Sequence, residues 1–162
     1  MAEYLSDLLT QQITNNRKLS ANYTGRAGAF GVKAVATVLA AHANGDVYRL
    51  FSVPANGIPL LWTIANSAVT DGSDYDLGIY NNGASGTVLD KDVLNDGISM
   101  ATASIATIFT SPHLIANYGK RFWELAGLSV DPGGYLDVCL TANTVGTADG
   151  TIGISLLYNG NN

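Results

Sequence analysis

The chain has 162 residues, a net charge of −5 and a charged fraction of 13%, against about a quarter in an average soluble protein. That length buries enough surface for one core without a metal or disulfide staple, and the 47% hydrophobic content excludes a disordered body. The acidic balance argues against nucleic-acid binding, and a single cysteine, Cys139, excludes a disulfide framework and a CxxC zinc site.

Charge divides the chain. Residues 1–33 carry Arg17, Lys18, Arg26 and Lys33 against Glu3 and Asp7, a net of +2; the remainder nets −7. Such asymmetry suggests that the leader has a partner. The start has no basic n-region or long apolar h-region, and no window is apolar enough to span a membrane. The expectation is a chain made in the cytosol.

Within the leader, Tyr4, Leu5, Leu8, Leu9 and Ile13 fall near helical spacing. Ser6 or Asp7 would cap a helix of about three turns, too short to persist undocked. Residues 15–28, small and polar with glycine, predict an extended strap. Residues 1–31 are therefore read as an N-terminal arm, a short helix plus strap. Its partner-docking residues are Tyr4, Leu5, Leu8, Leu9, Ile13, Arg17, Lys18, Tyr23 and Arg26. Against this stands a frayed chain end, the ordinary state of a terminus.

Residues 32–162 predict a β-sandwich domain. Strands are expected over 32–40, 47–53, 58–69, 74–80, 87–94, 98–109, 134–141 and 151–158. They are punctuated by turns at Asn44-Gly45, Asn56-Gly57, Asp71-Gly72, Asn82-Gly83 and Asp149-Gly150. About eight alternating strands indicate an all-β antiparallel sandwich or jelly roll. Tyr75, Leu77 and Ile79 should face inward, with Asp74, Asp76 and Gly78 outward. Leu136, Val138 and Leu140 should likewise point in, and Tyr135, Asp137 and Cys139 out. Residues 120–128, with Phe122, Trp123 and Leu125, predict a short helical turn plugging one end. The segment 65–82 faintly echoes 142–160, each a strand–turn–strand unit; reused turn chemistry accounts for it.

Catalytic signatures are missing: there is no phosphate-binding glycine loop and no GxSxG elbow. His42 and His113 sit beside turns and read as loop-end polar groups. Asp71, Asp74 and Asp76 form an acidic cluster without EF-hand order, read as a hairpin running into a solvated strand face. Asp90, Asp92 and Asp96 read as a charged edge that discourages strand pairing. Cys139 has no basic neighbour in sequence to activate it, and Trp62 and Trp123 read as core. No catalytic, cofactor or metal residue is assigned. Few charges and a separate arm favour a building block, because uncharged surface is the easiest to desolvate.

The strings Gly45-Asp46-Val47-Tyr48-Arg49-Leu50-Phe51-Ser52-Val53-Pro54 and Asp71-Gly72-Ser73-Asp74-Tyr75-Asp76-Leu77-Gly78-Ile79-Tyr80 resemble small structural proteins of tailed bacteriophages. So do Trp123-Glu124-Leu125-Ala126-Gly127-Leu128 and residues 135–144; the likeness covers residues 32–158. It implies a jelly-roll decoration (cement) protein on the capsid surface, clamping neighbouring major-capsid subunits and made in the host cytoplasm. The implied partners are the major capsid protein and copies of itself in a homo-oligomer, with no direct nucleic acid, membrane or cofactor. The arm lies outside these motifs. A carbohydrate-binding module, a tail-fibre or neck protein, and a hydrolase using His42 or His113 remain as alternatives.

Overall fold

The structure is a computed structural model and describes residues 3–5, 28–72, 74–83, 86–108 and 115–160. Among the described residues nine strands are present: β1 (Glu3–Leu5), β2 (Gly28–Val38), β3 (Val47–Pro54), β4 (Ile58–Asn66), β5 (Asp74–Asn81), β6 (Val88–Ile98), β7 (Ser104–Ile108), β8 (Tyr135–Thr144) and β9 (Gly150–Gly160). One helix, α1 (Phe122–Leu125), interrupts the connection from β7 to β8. No helix among the described residues is long and apolar enough to cross a membrane.

Two antiparallel four-stranded sheets face each other. One has the order β3-β8-β5-β6, extended at its β3 edge by the short β1; the other has the order β2-β9-β4-β7. The pairs β2·β9, β3·β8, β4·β7 and β5·β6 are nested, as in one long hairpin rolled up from its β5–β6 tip. That winding is the jelly roll. The all-β sandwich expected from alternation is therefore the fold observed.

Alternation builds the core. Val32, Ala34, Ala36 and Val38 of β2, Ile152, Ile154, Leu156 and Tyr158 of β9, and Trp62 and Ile64 of β4 point inward from one sheet. They meet Tyr48, Phe51, Tyr75, Leu77, Ile79, Val138 and Leu140 from the other. A bulge between Arg49 and Phe51 keeps Tyr48, Phe51 and Val53 on the inner face while Arg49 and Ser52 turn outward. The helix plugs one end as expected: the first helical N–H groups, of Phe122 and Trp123, donate to the Gly57 and Ala55 carbonyls at 2.9 and 3.1 Å. The Glu124 carboxylate accepts from the Arg121 N–H at 2.8 Å.

The echoing units lie antiparallel, β4 on β9 and β5 on β8. Their corners join where the Thr147 N–H donates to the Thr70 carbonyl at 2.8 Å and the Ser67 N–H to the Thr151 carbonyl at 3.0 Å. Several boundaries move. β2 begins at Gly28, before the expected Val32, and β4 stops at Asn66, leaving Val69 buried in the corner. Ile98 closes β6, so β7 is only Ser104–Ile108.

Two expectations are corrected. Tyr4 and Leu5, placed on a helical stripe, lie in β1, which pairs in parallel with β3: Glu3 with Val47, Tyr4 with Tyr48 and Leu5 with Arg49. A neighbouring strand edge supplies the hydrogen bonds that a marginal helix would have to make alone. Leu8, Leu9, Ile13, Arg17, Lys18, Tyr23 and Arg26 lie outside the described residues, as does His113.

The second correction concerns Asp76, Gly78 and Asp137. They do point away from the core, yet all are buried, as is Cys139, a packed thiol on the same face. The cover is β6. Its pairing with β5 skips from Leu77·Asn95 to Ile79·Asp90, so residues 91–94 arch over the sheet. They cross at Gly78, where a Cβ would lie 2.2–2.3 Å from the backbone of Lys91 and Asp90.

Candidate functional site

Beside that arch, Asp137 lies buried under the turn from β5 to β6, among polar partners. The Asp137 carboxylate accepts from Arg49 Nη1 at 3.0 Å and the Gly83 N–H at 3.2 Å through one oxygen. Its other oxygen accepts from Ser52 Oγ at 2.7 Å and Asn82 Nδ2 at 2.8 Å. Arg49 also donates to the Asn81 carbonyl at 3.3 Å and to the Gly86 carbonyl. Both charged side chains are at most 1% exposed. Each group is satisfied, as a buried ion pair requires, and the pair ties the β5–β6 turn to β3 and β8. Cys139 packs with Val47 and Tyr80 and lies 3.8 Å from Arg49 Nη1. This is structural chemistry, and the sequence did not signal it because the three elements are far apart in the chain.

The acidic residues separate. Asp71, in left-handed backbone at φ +61°, accepts from Thr147 Oγ1 at 3.3 Å at the corner. Asp76 is buried and accepts from Lys91 Nζ at 2.7 Å, Asn143 Nδ2 at 2.6 Å and the Gly97 N–H at 3.2 Å. Burial pushes its carboxyl up, but these three donors outweigh burial and hold it below the ordinary carboxylate range. Asp74 shares Asn143, at 3.3 Å. Asp96 and Asp92 are exposed and crowd Asp76, with carboxylate oxygens within 4.8 Å of one another. The Asp96 carboxyl is consequently raised, first by its hydrogen bond and charge contact with Asp76. Asp90 is raised too, by burial and then by Asp92. Asp71 lies exposed in the turn expected there, whereas the solvated strand face expected beyond it does not hold for Asp76, which is enclosed. Lys91 supplies the counter-charge.

His42 belongs to a socket for the N-terminal strand. The Tyr4 ring stacks on His42 with centroids 3.8 Å apart and on Tyr48 at 5.5 Å. His42 Nδ1 lies 2.9 Å from the Tyr48 hydroxyl and 3.2 Å from the Leu39 N–H. As that backbone N–H can only donate, Nδ1 is the acceptor, and Tyr48 donates to it as well. Asp46 forms the rim, accepting from the Ala43 N–H at 3.0 Å. Burial and then the Asp46 carboxylate push the Tyr4 hydroxyl up, and burial pushes Tyr48 up further. Among the described residues, the walls of this socket, His42, Asp46 and Tyr48, come from the body. Of the nine arm residues read from sequence, Tyr4 is the one whose side chain is described, and it lies against the same chain's β3.

The outer face of the β2-β9-β4-β7 sheet is different again. Its outward side chains include Val35, Thr37, Leu61, Thr63, Ala65, Ser155 and Leu157, with Lys33 the one charge among the described outward positions. A shallow groove of about 360 Å³ runs between Gly31, Lys33, Leu61, Thr63, Ser155 and Leu157. Val35 is 48% and Ile105 83% exposed. Sequence alternation predicted this face; its scarcity of charge follows from composition. Trp62 is in the core and Trp123 packs against it, so neither indole presents an exposed platform of the kind a carbohydrate module would use.

No family model matches the chain, and no curated protein matches it in sequence. In fold it is similar to a chain of the capsid of Ralstonia phage GP4, with 16% identity and a TM-score of 0.69 over 99% of both chains. It is also similar to a chain of the cyanophage Pam1 capsid asymmetric unit, with 15% identity and a TM-score of 0.54, covering 90% of this chain and 94% of that one. At these identities the shared property is the fold, a jelly roll found in chains of two phage capsid structures.

Proposed function

We infer that this protein is a virion structural protein, a capsid decoration (cement) protein that clamps neighbouring major-capsid subunits, and not an enzyme. The observation that supports this most is the end-to-end likeness, over 99% of both chains, to a chain of a phage capsid. The charge-poor outer sheet agrees with it: Thr, Ser, Ala and Val can be covered by a neighbour at little desolvation cost.

On this reading the jelly roll is the rigid body and the arm, read from sequence as residues 1–31, ends where β2 begins at Gly28. Leu5, Leu8, Leu9 and Ile13 supply its apolar grip, and Arg17, Lys18, Tyr23 and Arg26 its charged and aromatic contacts. Contacts of modest strength add by avidity when one molecule bridges several shell subunits. The host shell is the partner, copies of the chain are its neighbours, and the virion surface is its location.

The test is binding to undecorated capsids by full-length protein and by protein lacking residues 1–27, a cut placed just before β2. Full-length protein should coat the shell, and the truncated protein should keep its sandwich circular-dichroism spectrum and lose coating. Full-length protein that fails to coat removes the decoration role. Truncated protein that coats to full occupancy removes the arm.

A further inference from the structure

We propose that the Tyr4 socket is a strand-exchange site: the His42–Asp46–Tyr48 pocket and the β3 edge receive the N-terminal strand of a second copy of this chain. The proposal rests on the reading of residues 1–31 as an arm, and it does not depend on the shell role.

The described walls of the socket are held in place by bonds that do not involve its occupant. His42 is fixed by Leu39 and Tyr48, Asp46 by Ala43, and the 44–46 turn by the Gly45 N–H bond to the Ala142 carbonyl at 2.6 Å and the Ala142 N–H bond to Asp46 at 3.0 Å. A preformed pocket accepts any copy of Tyr4 with the same contacts, so docking within a chain and between chains differ little in contact energy. What separates the two is the connection.

That connection is long. Leu5 pairs with Arg49 in the middle of β3, whereas Gly28 starts β2 opposite Gly160. Ile58, beside Asn159, begins β4 just after β3 ends at Pro54. Five residues of strand, three strand spacings and the crossing between the sheets separate the two ends, at most about 40 Å. Twenty-two residues lie between Leu5 and Gly28, and such a stretch reaches up to about 70 Å. A link to the chain's own β2 would leave about 30 Å of that reach unused.

The strand itself is of the exchangeable kind. It contributes three residues and one stacked ring, and it pairs in parallel where the pairs between the other described strands are antiparallel. Its ring packs against the core cluster without being one of the cluster's buried members. When copies stand side by side, the effective concentration of a neighbour's strand rises toward the millimolar range, and exchange then joins each jelly roll to the next.

The test replaces Tyr4 by the photo-crosslinker p-benzoylphenylalanine in full-length protein. Equal amounts of ¹⁴N and ¹⁵N protein are unfolded, mixed, refolded together at high concentration and irradiated. Exchange predicts links from position 4 to the 42–48 segment, about half of which join a light copy to a heavy one. Links confined to single-isotope, monomer-mass species overturn the proposal. As a second measurement, Tyr4→Ala should lower the native mass to that of a monomer and leave the unfolding midpoint of the jelly roll in place. A lowered midpoint at unchanged mass overturns exchange in favour of docking within one chain. Both readouts are independent of capsid coating, so failure here is distinct from failure of the arm or of the decoration role.

Discussion

Arg49 and Asp137 set the highest local stakes in the molecule. A buried pair contributes little net stability against an apolar replacement, but removing one partner strands the other. Asp137→Ala should therefore destabilise the fold by about 3–5 kcal/mol, read as a lower urea midpoint, whereas Arg49→Met combined with Asp137→Leu should recover most of that loss. Nothing in the sequence around either residue marks the pair, because alternation places both on an outward face and cannot tell that the face is covered.

The acidic residues give a second test at this scale. Asp76 has a native carboxyl lowered relative to its unfolded value, so it contributes stability above the ordinary carboxylate pKa of about 4. That contribution disappears as pH falls through its lowered native value. Asp96 and Asp90 are raised, so their ionised forms oppose folding at neutral pH and protonation relieves the strain as pH falls. Asp96→Asn should raise the thermal midpoint at neutral pH, with the gain vanishing below about pH 4, where the carboxyl is protonated in both states. Asp76→Asn should lower the midpoint at neutral pH and weaken acid unfolding. A midpoint for Asp96→Asn that does not vary relative to wild type across that range contradicts this account of the cluster.

Among the elements, β6 decides what the rest of the sheet becomes. Its arch over Gly78 turns an outward strand face into a second interior. Gly78→Ala would drive a Cβ into the backbone of Lys91 and Asp90, and backbone cannot swing aside as a side chain does. The expected loss is about 1–3 kcal/mol or more. Gly153, on the open face of the other sheet, has nothing closer than 3.7 Å to an added Cβ. Gly153→Ala should be neutral or slightly stabilising. Thermal melts of the two variants compare a covered strand with an open one at the same substitution. Strand positions and the Gly-containing turns were legible from alternation and turn chemistry, as in the 74–80 and 151–158 segments. The arch was not: a bulge depends on which strand lies alongside, and residues 91–94 carry no signal of it.

At the scale of the whole molecule, β1 is an edge strand outside the nested pairs of the jelly roll. Removing residues 1–27 deletes β1 and leaves the nested pairs from β2 to β9 intact. The truncated protein should unfold cooperatively, with a midpoint within a few degrees of full length; a loss of cooperativity would show that the leader is part of the fold. Composition and alternation were sufficient for the all-β class, the number of body strands, the short helical plug and the scarcity of charge on the open sheet. These are properties of neighbouring residues, since a strand buries every second side chain wherever it is placed. The tertiary structure alone decided that Asp76, Asp137 and Cys139 are enclosed on the outward face of their sheet and that Tyr4 enters a socket made by His42, Asp46 and Tyr48. Enclosure and docking depend on segments that are remote along the chain, and the periodicity of a single strand holds no information about what comes to lie on top of it.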